Sequence, residues 1–154
     1  MFTIRKYEAQ YQNRLFQFLE ICLPQSDRKF EPDGRHKMYR NVTGYFEHFW
    51  CLFDGEDMIG TAALKKLDSG RCELKALYLL EKYHKKGLGR RLLNTAIQKA
   101  QQDGYEEMYL DTLSSSKKAI RLYEKTGFVK TERYNDNYMA EIFMILKLGR
   151  FNGS

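Results

Sequence analysis

One segment of the sequence combines an apolar strand, a basic turn with two glycines and the start of a helix. It runs from Leu77 to Leu93 and places Gly87 and Gly89 where the helix begins. Glycine has no Cβ, so the backbone can approach a ligand closely there, and the first turn of a helix presents N–H groups without an intrahelical partner. The helix dipole favours negative charge at the same place. The segment therefore predicts a cradle for a phosphate group.

The distribution of charge supports this interpretation. The chain has 26 Lys and Arg against 20 Asp and Glu, a formal net charge of +6, which suits a nucleic acid, an acidic surface or a polyanionic cofactor. The basic residues concentrate around the two glycines and in a later segment: Lys82, Lys85, Lys86, Arg90 and Arg91, then Lys117, Lys118, Arg121 and Lys125. This concentration favours a ligand that carries phosphates.

A second motif lies further along the chain, with Ala119, Tyr123 and the pair Gly127-Phe128. Together with His84-Lys85-Lys86-Gly87-Leu88-Gly89, it resembles the GNAT superfamily of acetyl-CoA-dependent N-acetyltransferases, whose acetyl-CoA motif is Arg/Gln-x-x-Gly-x-Gly/Ala. The resemblance runs from Arg71 to Phe128. His84 replaces the usual Arg or Gln, and Ser116 stands where many members have Asn.

The resemblance implies that acetyl-CoA is the acetyl donor and that two strands splay apart at a bulge near Leu79, so that pantetheine can lie between them. It implies Tyr123 as the general acid that protonates the departing thiolate. The residues that it implies for cofactor binding are Leu77, Tyr78, Leu79, His84, Lys85, Lys86, Gly87, Leu88, Gly89, Arg90, Ser116, Ala119 and Tyr123.

Acetyl transfer to an amine also needs a base for the amine and a donor for the developing oxyanion. Glu73, near the start of the strand that leads to the cradle, is the first candidate for the base, and Asp111, at the end of the next strand, is the second. An ordinary Glu has a pKa of about 4.3, so burial or a water relay would be needed. A backbone N–H near Leu79 is expected to stabilise the oxyanion.

Strand alternation places Glu73, Lys75, Leu77 and Leu79 on one face of their strand unless a bulge intervenes. The resemblance places the acceptor pocket between the first two helices and the loop that joins the last two strands. Aromatic residues and a carboxylate in those segments could hold a cationic amine or belong to the core and a polar turn: Phe30, Tyr39, Tyr45, Phe46, Tyr134, Asp136 and Tyr138.

The hydrophobic pattern predicts one α/β domain over residues 1–148 and a disordered tail over 149–154. The predicted fold is GNAT-like, with a mixed, mostly antiparallel sheet of six to seven strands, about four flanking helices and one splayed parallel pair. A first helix ends at Pro24, and Met38, Val42, Tyr45, Phe46 and Phe49 predict a second. The predicted strands are 2–7, 50–53, 58–67, 71–80, 107–112, 128–134 and 140–148. Two further helices are predicted, from 88 to 103 and from 117 to 125.

Several classes of site are not expected from the sequence. Cys22, Cys51 and Cys72 show no Cys-x-x-Cys spacing, and the three histidines show no ligand spacing, so we predict buried thiols and no metal. No apolar run is long enough to span a bilayer, and the N-terminus does not read as a signal peptide, so a cytoplasmic protein without membrane partners is expected. A homodimer is compatible with the resemblance.

Other functions remain open at this stage. A dinucleotide-binding loop is disfavoured because Leu92 occupies the third glycine position, and a P-loop because no Gly-Lys-Ser/Thr follows the glycines. A domain that holds acyl-CoA without catalysis is one alternative, and a small basic RNA-binding domain is a weaker one, since no aromatic ribonucleoprotein signature is present. We therefore predict no nucleic acid partner. The amine-bearing acceptor is not defined by the sequence.

Overall fold

The computed structural model describes residues 1–149, which form seven strands and four α-helices. The strands are β1 Phe2–Lys6, β2 His48–Asp54, β3 Asp57–Lys66, β4 Arg71–Leu79, β5 Glu107–Thr112, β6 Val129–Thr131 and β7 Ile142–Lys147. The helices are α1 Gln12–Cys22, α2 Val42–Tyr45, α3 Leu88–Gln102 and α4 Lys117–Thr126.

The strands form one sheet in the order β1-β2-β3-β4-β5-β7-β6. Only β4 and β5 run parallel, and helix α3 connects them, as a crossover between parallel strands requires. The other neighbours are antiparallel. The predicted fold class is confirmed, and β2, β3 and β4 form an antiparallel meander.

The sheet divides the apolar interior into two layers. On one face, α3 packs through a stripe of buried residues, Leu88, Leu92, Leu93, Ala96 and Ala100, and α4 adds Tyr123. On the other face, α1 packs through Leu15, Phe18, Leu19 and Cys22. The helical spacing of these residues follows from the 3.6-residue period of a helix with one buried face.

Strand β4 contains a bulge, and beyond it the sheet opens. Ala63 pairs with Lys75 whereas Thr61 pairs with Tyr78, so β4 carries one residue more than β3 across this stretch. Ala76 adopts a φ of 54°, a conformation uncommon outside glycine, and its carbonyl accepts a 2.6 Å hydrogen bond from the Thr61 hydroxyl. The pairing of β4 with β5 ends at Glu73 opposite Tyr109. The expected splay is therefore present.

The predicted second helix was wrong in its length. Residues Lys37–Arg40 form a 3-10 turn, α2 covers four residues only, and Phe49 belongs to β2. The backbone of Phe46 is extended, and the Glu47 N–H bonds to the Leu64 carbonyl, so pairing with β3 takes over where the helical pattern would continue. Tertiary pairing outweighed a weak helical preference interrupted by Gly44.

Strand β6 is also shorter than predicted. It ends at Thr131, and the chain between β6 and β7, residues 132–141, forms a loop in which Arg133 donates to the carbonyls of Asn137 and Ala140. Of the tail predicted to be disordered, all but Gly149 lies outside the described residues. Within residues 1–149, no helix has both the length and the apolar character needed to cross a membrane.

Candidate functional site

The beginning of α3 has the geometry of an anion cradle. Gly87 precedes the helix with a φ of 75°, no side chain caps the first turn, and a Cβ at Gly87 would meet no atom within 4 Å. The N–H groups of Leu88, Gly89 and Arg90 therefore have no intrahelical partner. Lys85, Lys86 and Arg90 are exposed around this turn, whereas the side chain of Leu88 is buried in the core and leaves only its backbone to face a ligand.

His84 leads into the cradle and contacts the strand beside it. Its Nε2 lies 3.0 Å from the carbonyl oxygen of Leu79. Because a carbonyl only accepts, Nε2 carries a proton, and Nδ1 of the neutral ring is then an acceptor. Nδ1 is buried and has no partner in the part of the chain that the structure describes. A ligand or water with a donor can satisfy it.

Leu79 faces the opening between β4 and β5. The N–H of Leu80 bonds to the Ile59 carbonyl on β3, and neighbouring residues of a strand direct their backbone groups to opposite sides. The N–H of Leu79 therefore points away from β3, toward the splayed side. Leu77, Tyr78 and Leu79 are all half-buried, as the edge of an opening requires.

Tyr123 lies on α4, which packs beside the cradle. The side chain of Leu122, the neighbouring residue on α4, lies so near Gly89 that a Cβ added to Gly89 would be 3.5 Å from it. The Tyr123 side chain is 6% exposed and packs against Phe128. Burial and the neighbouring Tyr78 raise the pKa of Tyr123, against the effect of Arg28, so the phenol stays protonated at neutral pH.

Glu73 is buried and held by three neighbours. Its side chain is 4% exposed. One oxygen, Oε2, accepts hydrogen bonds from the Tyr134 hydroxyl at 2.6 Å and from Asn135 Nδ2 at 3.0 Å, and Oε1 lies 3.7 Å from the Lys75 ammonium. Burial, with the charge of Glu73 next in importance, raises the pKa of Tyr134, which therefore remains a donor.

Asp111 joins this cluster from β5. Asn135 Nδ2 lies 2.6 Å from Asp111 Oδ2, and Asn137 Nδ2 lies 3.1 Å from Oδ1. Asn135 thus bridges the two carboxylates that the sequence offered as alternative bases. Burial lowers the pKa of Lys75, but Glu73 and Asp111 outweigh burial and raise it overall, so the ammonium stays charged. We call Glu73, Lys75, Asp111, Tyr134 and Asn135 the carboxylate cluster.

A bulge does intervene in the alternation expected for Glu73, Lys75, Leu77 and Leu79, so only Glu73 and Lys75 share a face. Leu77 and Leu79 pack with Cys72 and Leu74 on the α3 side, whereas Ala76 and Tyr78 pack on the α1 side. The bulge at Ala76 reverses the alternation because it inserts one residue. Glu73 and Lys75 consequently face the α1 side together with the later Tyr78.

Arg28 is a site residue that the sequence did not indicate. It lies in the segment between α1 and α2, and its Nη2 is 3.3 Å from the hydroxyl of Ser116, the residue that precedes α4. Ser116 makes no capping bond to its own helix. Only the fold brings these two residues together, since they are separated by most of the chain.

The aromatic residues offered for an acceptor pocket divide between the core and the surface. Tyr39 and Phe46 are buried, and Phe30 and Tyr45 pack against the same apolar layer. Tyr138 is 89% exposed, and Asp136 is exposed in the loop between β6 and β7. Of this set, only Tyr134 belongs to the carboxylate cluster, through its hydrogen bond to Glu73.

A second polar group lies elsewhere on the molecule, where β2 begins and α3 ends. Glu47, His48 and Asp103 offer ligand atoms within 4.8 Å of one another, and His48 Nε2 is 2.7 Å from Asp103 Oδ2. The hydroxyl of Tyr105 already donates to Glu47, and Lys99 pairs with Asp103. The expectation of no metal stays a prediction here. All three cysteines are buried and unpaired, as expected.

Comparison with known proteins gives a consistent result. The model of the acetyltransferase (GNAT) family matches residues 13–128, more than half of the chain. The chain is 33% identical over 104 residues to YsnE of Bacillus subtilis (strain 168), described as an uncharacterised N-acetyltransferase; the match covers 65% of this chain and 69% of that protein. The next curated relatives are matched over about half of their own length.

Solved structures share the fold over nearly all of the chain. A GNAT-family acetyltransferase of Staphylococcus aureus Mu50 superimposes with a TM-score of 0.87 at 21% identity, covering 97% of this chain and 100% of that one. YncA of Salmonella typhimurium, solved with acetyl-CoA, gives 0.71 at 22% identity and covers 100% of this chain and 98% of its own.

Proposed function

Because the chain belongs to the acetyltransferase (GNAT) family, we propose that it transfers an acetyl group from acetyl-CoA directly to a primary amine. The single observation that carries this proposal is the opening between β4 and β5 next to the uncapped start of α3. An open strand edge offers backbone groups to an extended chain, and the helix start offers N–H groups to a pyrophosphate. YncA, a structural neighbour, was solved with acetyl-CoA.

The residues present fit the cofactor. Gly87 leaves the space in front of the helix clear, and the exposed Lys85, Lys86 and Arg90 supply positive charge for the phosphates. The acceptor Nδ1 of His84 lacks a protein partner within residues 1–149, so it has capacity for a ligand N–H. Leu77, Tyr78 and Leu79 would line the pantetheine, and Ser116 and Ala119 would border it from α4.

The proposed reaction has three steps. Glu73, directly or through water, removes a proton from the acceptor ammonium, and the neutral amine attacks the thioester carbonyl. The N–H of Leu79 stabilises the resulting oxyanion. The intermediate then collapses, the C–S bond breaks, and the protonated Tyr123 donates its proton to the CoA thiolate. The attacking nitrogen gives its second proton to solvent, and solvent reprotonates Tyr123, which leaves the amide and the free thiol. The raised pKa of Tyr123 keeps the phenol protonated until the thiolate leaves, and it also makes the phenol a weaker acid.

Asp111 remains the alternative base. It is half-buried, whereas Glu73 is nearly enclosed and already accepts two hydrogen bonds. The amide of Asn135 donates to both carboxylates and holds them next to each other. A location in the cytoplasm and a homodimer stay predictions.

Two measurements test the proposal. Calorimetry with acetyl-CoA should give saturable binding, and a thiol reagent should detect CoA release when a panel of primary amines is added. Binding without CoA release from any amine would favour a domain that holds acyl-CoA without catalysis. Failure to bind acetyl-CoA at millimolar concentration would refute the proposal.

A further inference from the structure

We propose that the acceptor carries a carboxylate close to its amine, as a free amino acid does, and that Arg28 binds this carboxylate. The inference rests on the proposed acetyl transfer and specifies its substrate class. It follows from the position of Arg28, from the partners of its guanidinium and from the arrangement of charge on the two sides of the opening.

The local backbone places Arg28 beside α4. Asp27 adopts a left-handed conformation, with φ 59° and ψ 29°, directly before Arg28. The Arg28 N–H then bonds to the Leu23 carbonyl at 3.0 Å, so the chain folds back on the end of α1. From this position the side chain spans to Ser116, and the guanidinium is held at the start of the helix that carries Tyr123.

The guanidinium has neutral partners only. Its Nη1 lies 3.3 Å from the Ser26 hydroxyl, its Nη2 lies 3.3 Å from the Ser116 hydroxyl, and no carboxylate of residues 1–149 forms an ion pair with it. The side chain is half-buried. A guanidinium has five N–H donors in a planar fork that matches a carboxylate, so much of its capacity is unused.

Arg28 also lies near the proposed point of acetyl transfer. Its charge opposes the rise in the pKa of Tyr123, and it opposes the rise in the pKa of Cys22, whose thiol is buried beside Leu79. Asp111 acts on the same Tyr123 with the opposite sign. Tyr123 is therefore within electrostatic reach of both a cation and a carboxylate.

The balance of charge favours a zwitterion over a polycation. Lys75 neutralises part of the carboxylate cluster, so the two cations Arg28 and Lys75 stand against the two carboxylates Glu73 and Asp111. An amino acid can direct its ammonium to the carboxylate cluster and its carboxylate to Arg28. A polyamine or an aminoglycoside would bring a second positive charge toward the guanidinium, which is unfavourable.

The test uses acceptors that differ only at the carboxylate. We expect the intact protein to acetylate L-phenylalanine or L-lysine with a kcat/KM at least about tenfold above that for two sets of controls. The first set is the corresponding amino acid amides, and the second is phenethylamine and cadaverine, which lack the carboxyl group. A tenfold difference is typical of losing one charged hydrogen bond. In Arg28→Gln this ratio should fall toward one, mainly through KM, and Arg28→Lys should restore part of it. Arg35→Gln, which alters an exposed arginine of the same segment, should keep the ratio.

Other outcomes separate the possible failures. If the amines, amides and diamines are acetylated as efficiently as the amino acids, the carboxylate proposal is overturned and the proposed acetyl transfer still stands. A weaker calorimetric affinity of Arg28→Gln for acetyl-CoA, with the acceptor ratio unchanged, would assign Arg28 to the cofactor and also overturn it. Absence of CoA release with every acceptor would refute the proposed function itself.

Discussion

At the residue scale, the site depends on side chains whose protonation is set by burial. Tyr123 is kept neutral in a nearly enclosed position, and Glu73 is kept in place by Tyr134 and Asn135. A buried carboxylate with two donors is well positioned, but both donors bond to the same oxygen and occupy an atom that would otherwise accept a proton. The acid of the proposed reaction is therefore better defined by the structure than the base.

Replacing Tyr123 with Phe tests the acid. The substitution removes only the hydroxyl and preserves the contact with Phe128, so folding and acetyl-CoA affinity should be unchanged. Loss of the proton donor should lower kcat by about 10²- to 10³-fold. Single-turnover CoA release and calorimetry measure the two quantities. A variant with full kcat would exclude Tyr123 as the acid.

A matched pair of substitutions tests the base. Glu73→Gln should lower kcat/KM by about 10²-fold and remove the acidic limb of its pH profile, because a base must be deprotonated to act. Asp111→Asn, in the same cluster, serves as the comparison and should retain the acidic limb. The reverse pattern would assign the base to Asp111. Circular dichroism of both variants controls for folding.

At the scale of elements, two backbone features create the site. The bulge at Ala76 turns Leu77 and Leu79 to the α3 side, where β4 is no longer paired with β5, and Gly87 starts α3 without a side-chain cap. Neither feature depends on catalytic side chains. A helix start and a strand edge with unpaired backbone groups are available to a ligand only because nothing else in the described chain occupies them.

Two glycines at opposite ends of α3 provide a controlled test of the cradle. Gly87 and Gly104 have φ angles of 75° and 85°, and a Cβ at either would meet no atom within 4 Å. Alanine at each position should therefore cost a similar 1 to 2 kcal/mol of stability, roughly, from left-handed strain alone. Only Gly87→Ala should also weaken acetyl-CoA binding. Denaturant titration and calorimetry measure the two effects.

Equal acetyl-CoA affinity of the two glycine variants would contradict the placement of the pyrophosphate at the start of α3. Because both variants carry the same strain, a difference in affinity between them cannot come from reduced stability. The comparison thus isolates what the added methyl group does to the ligand.

At the scale of the whole molecule, stability is tied to buried groups that must stay protonated. Burial raises the pKa of the thiols of Cys22, Cys51 and Cys72 from 9.0 to about 12, and it raises the pKa of Tyr123 and Tyr134 as well. The thiols lie in both apolar layers. At high pH these thiols ionise in the unfolded chain but not in the folded one, which favours unfolding of both apolar layers.

The free energy of unfolding should be insensitive to these thiols below pH 9 and should fall as pH rises from 9 to 12. The sign follows because the folded state binds the proton more tightly, so only the unfolded chain gains by ionising. Each thiol contributes a slope of up to about 1.4 kcal/mol per pH unit. Urea titrations at pH 7, 9, 10 and 11 measure the effect, and Cys72→Ala should show a shallower decline. A constant free energy up to pH 11 would contradict the prediction.

Much of the fold could be predicted because its signals are local. The strand and helix patterns of residues 57–126 and the turns at Gly55, Gly104 and Gly127 follow from periodicity and from positions that need positive φ. The second helix and the length of β6 could not be predicted, because pairing with β3 and the contacts of the loop between β6 and β7 decided them.

The sequence alone predicted the anion cradle, since a glycine-flanked helix start acts through its own backbone and needs no distant partner. The resemblance of its motifs to the GNAT family supplied the prediction that acetyl-CoA is the donor. Only the tertiary structure decided which side chains share the opening. After the bulge at Ala76, the side chains of β4 lie on the opposite faces from those that simple alternation predicts. The loop between β6 and β7 places Asn135 within hydrogen-bond distance of Glu73 and Asp111. The turn at Asp27 places Arg28 beside Ser116. The contacts of Asn135 and of Arg28 join residues far apart in the chain. A local sequence pattern describes only one of the two residues in such a contact, so it cannot predict that they meet.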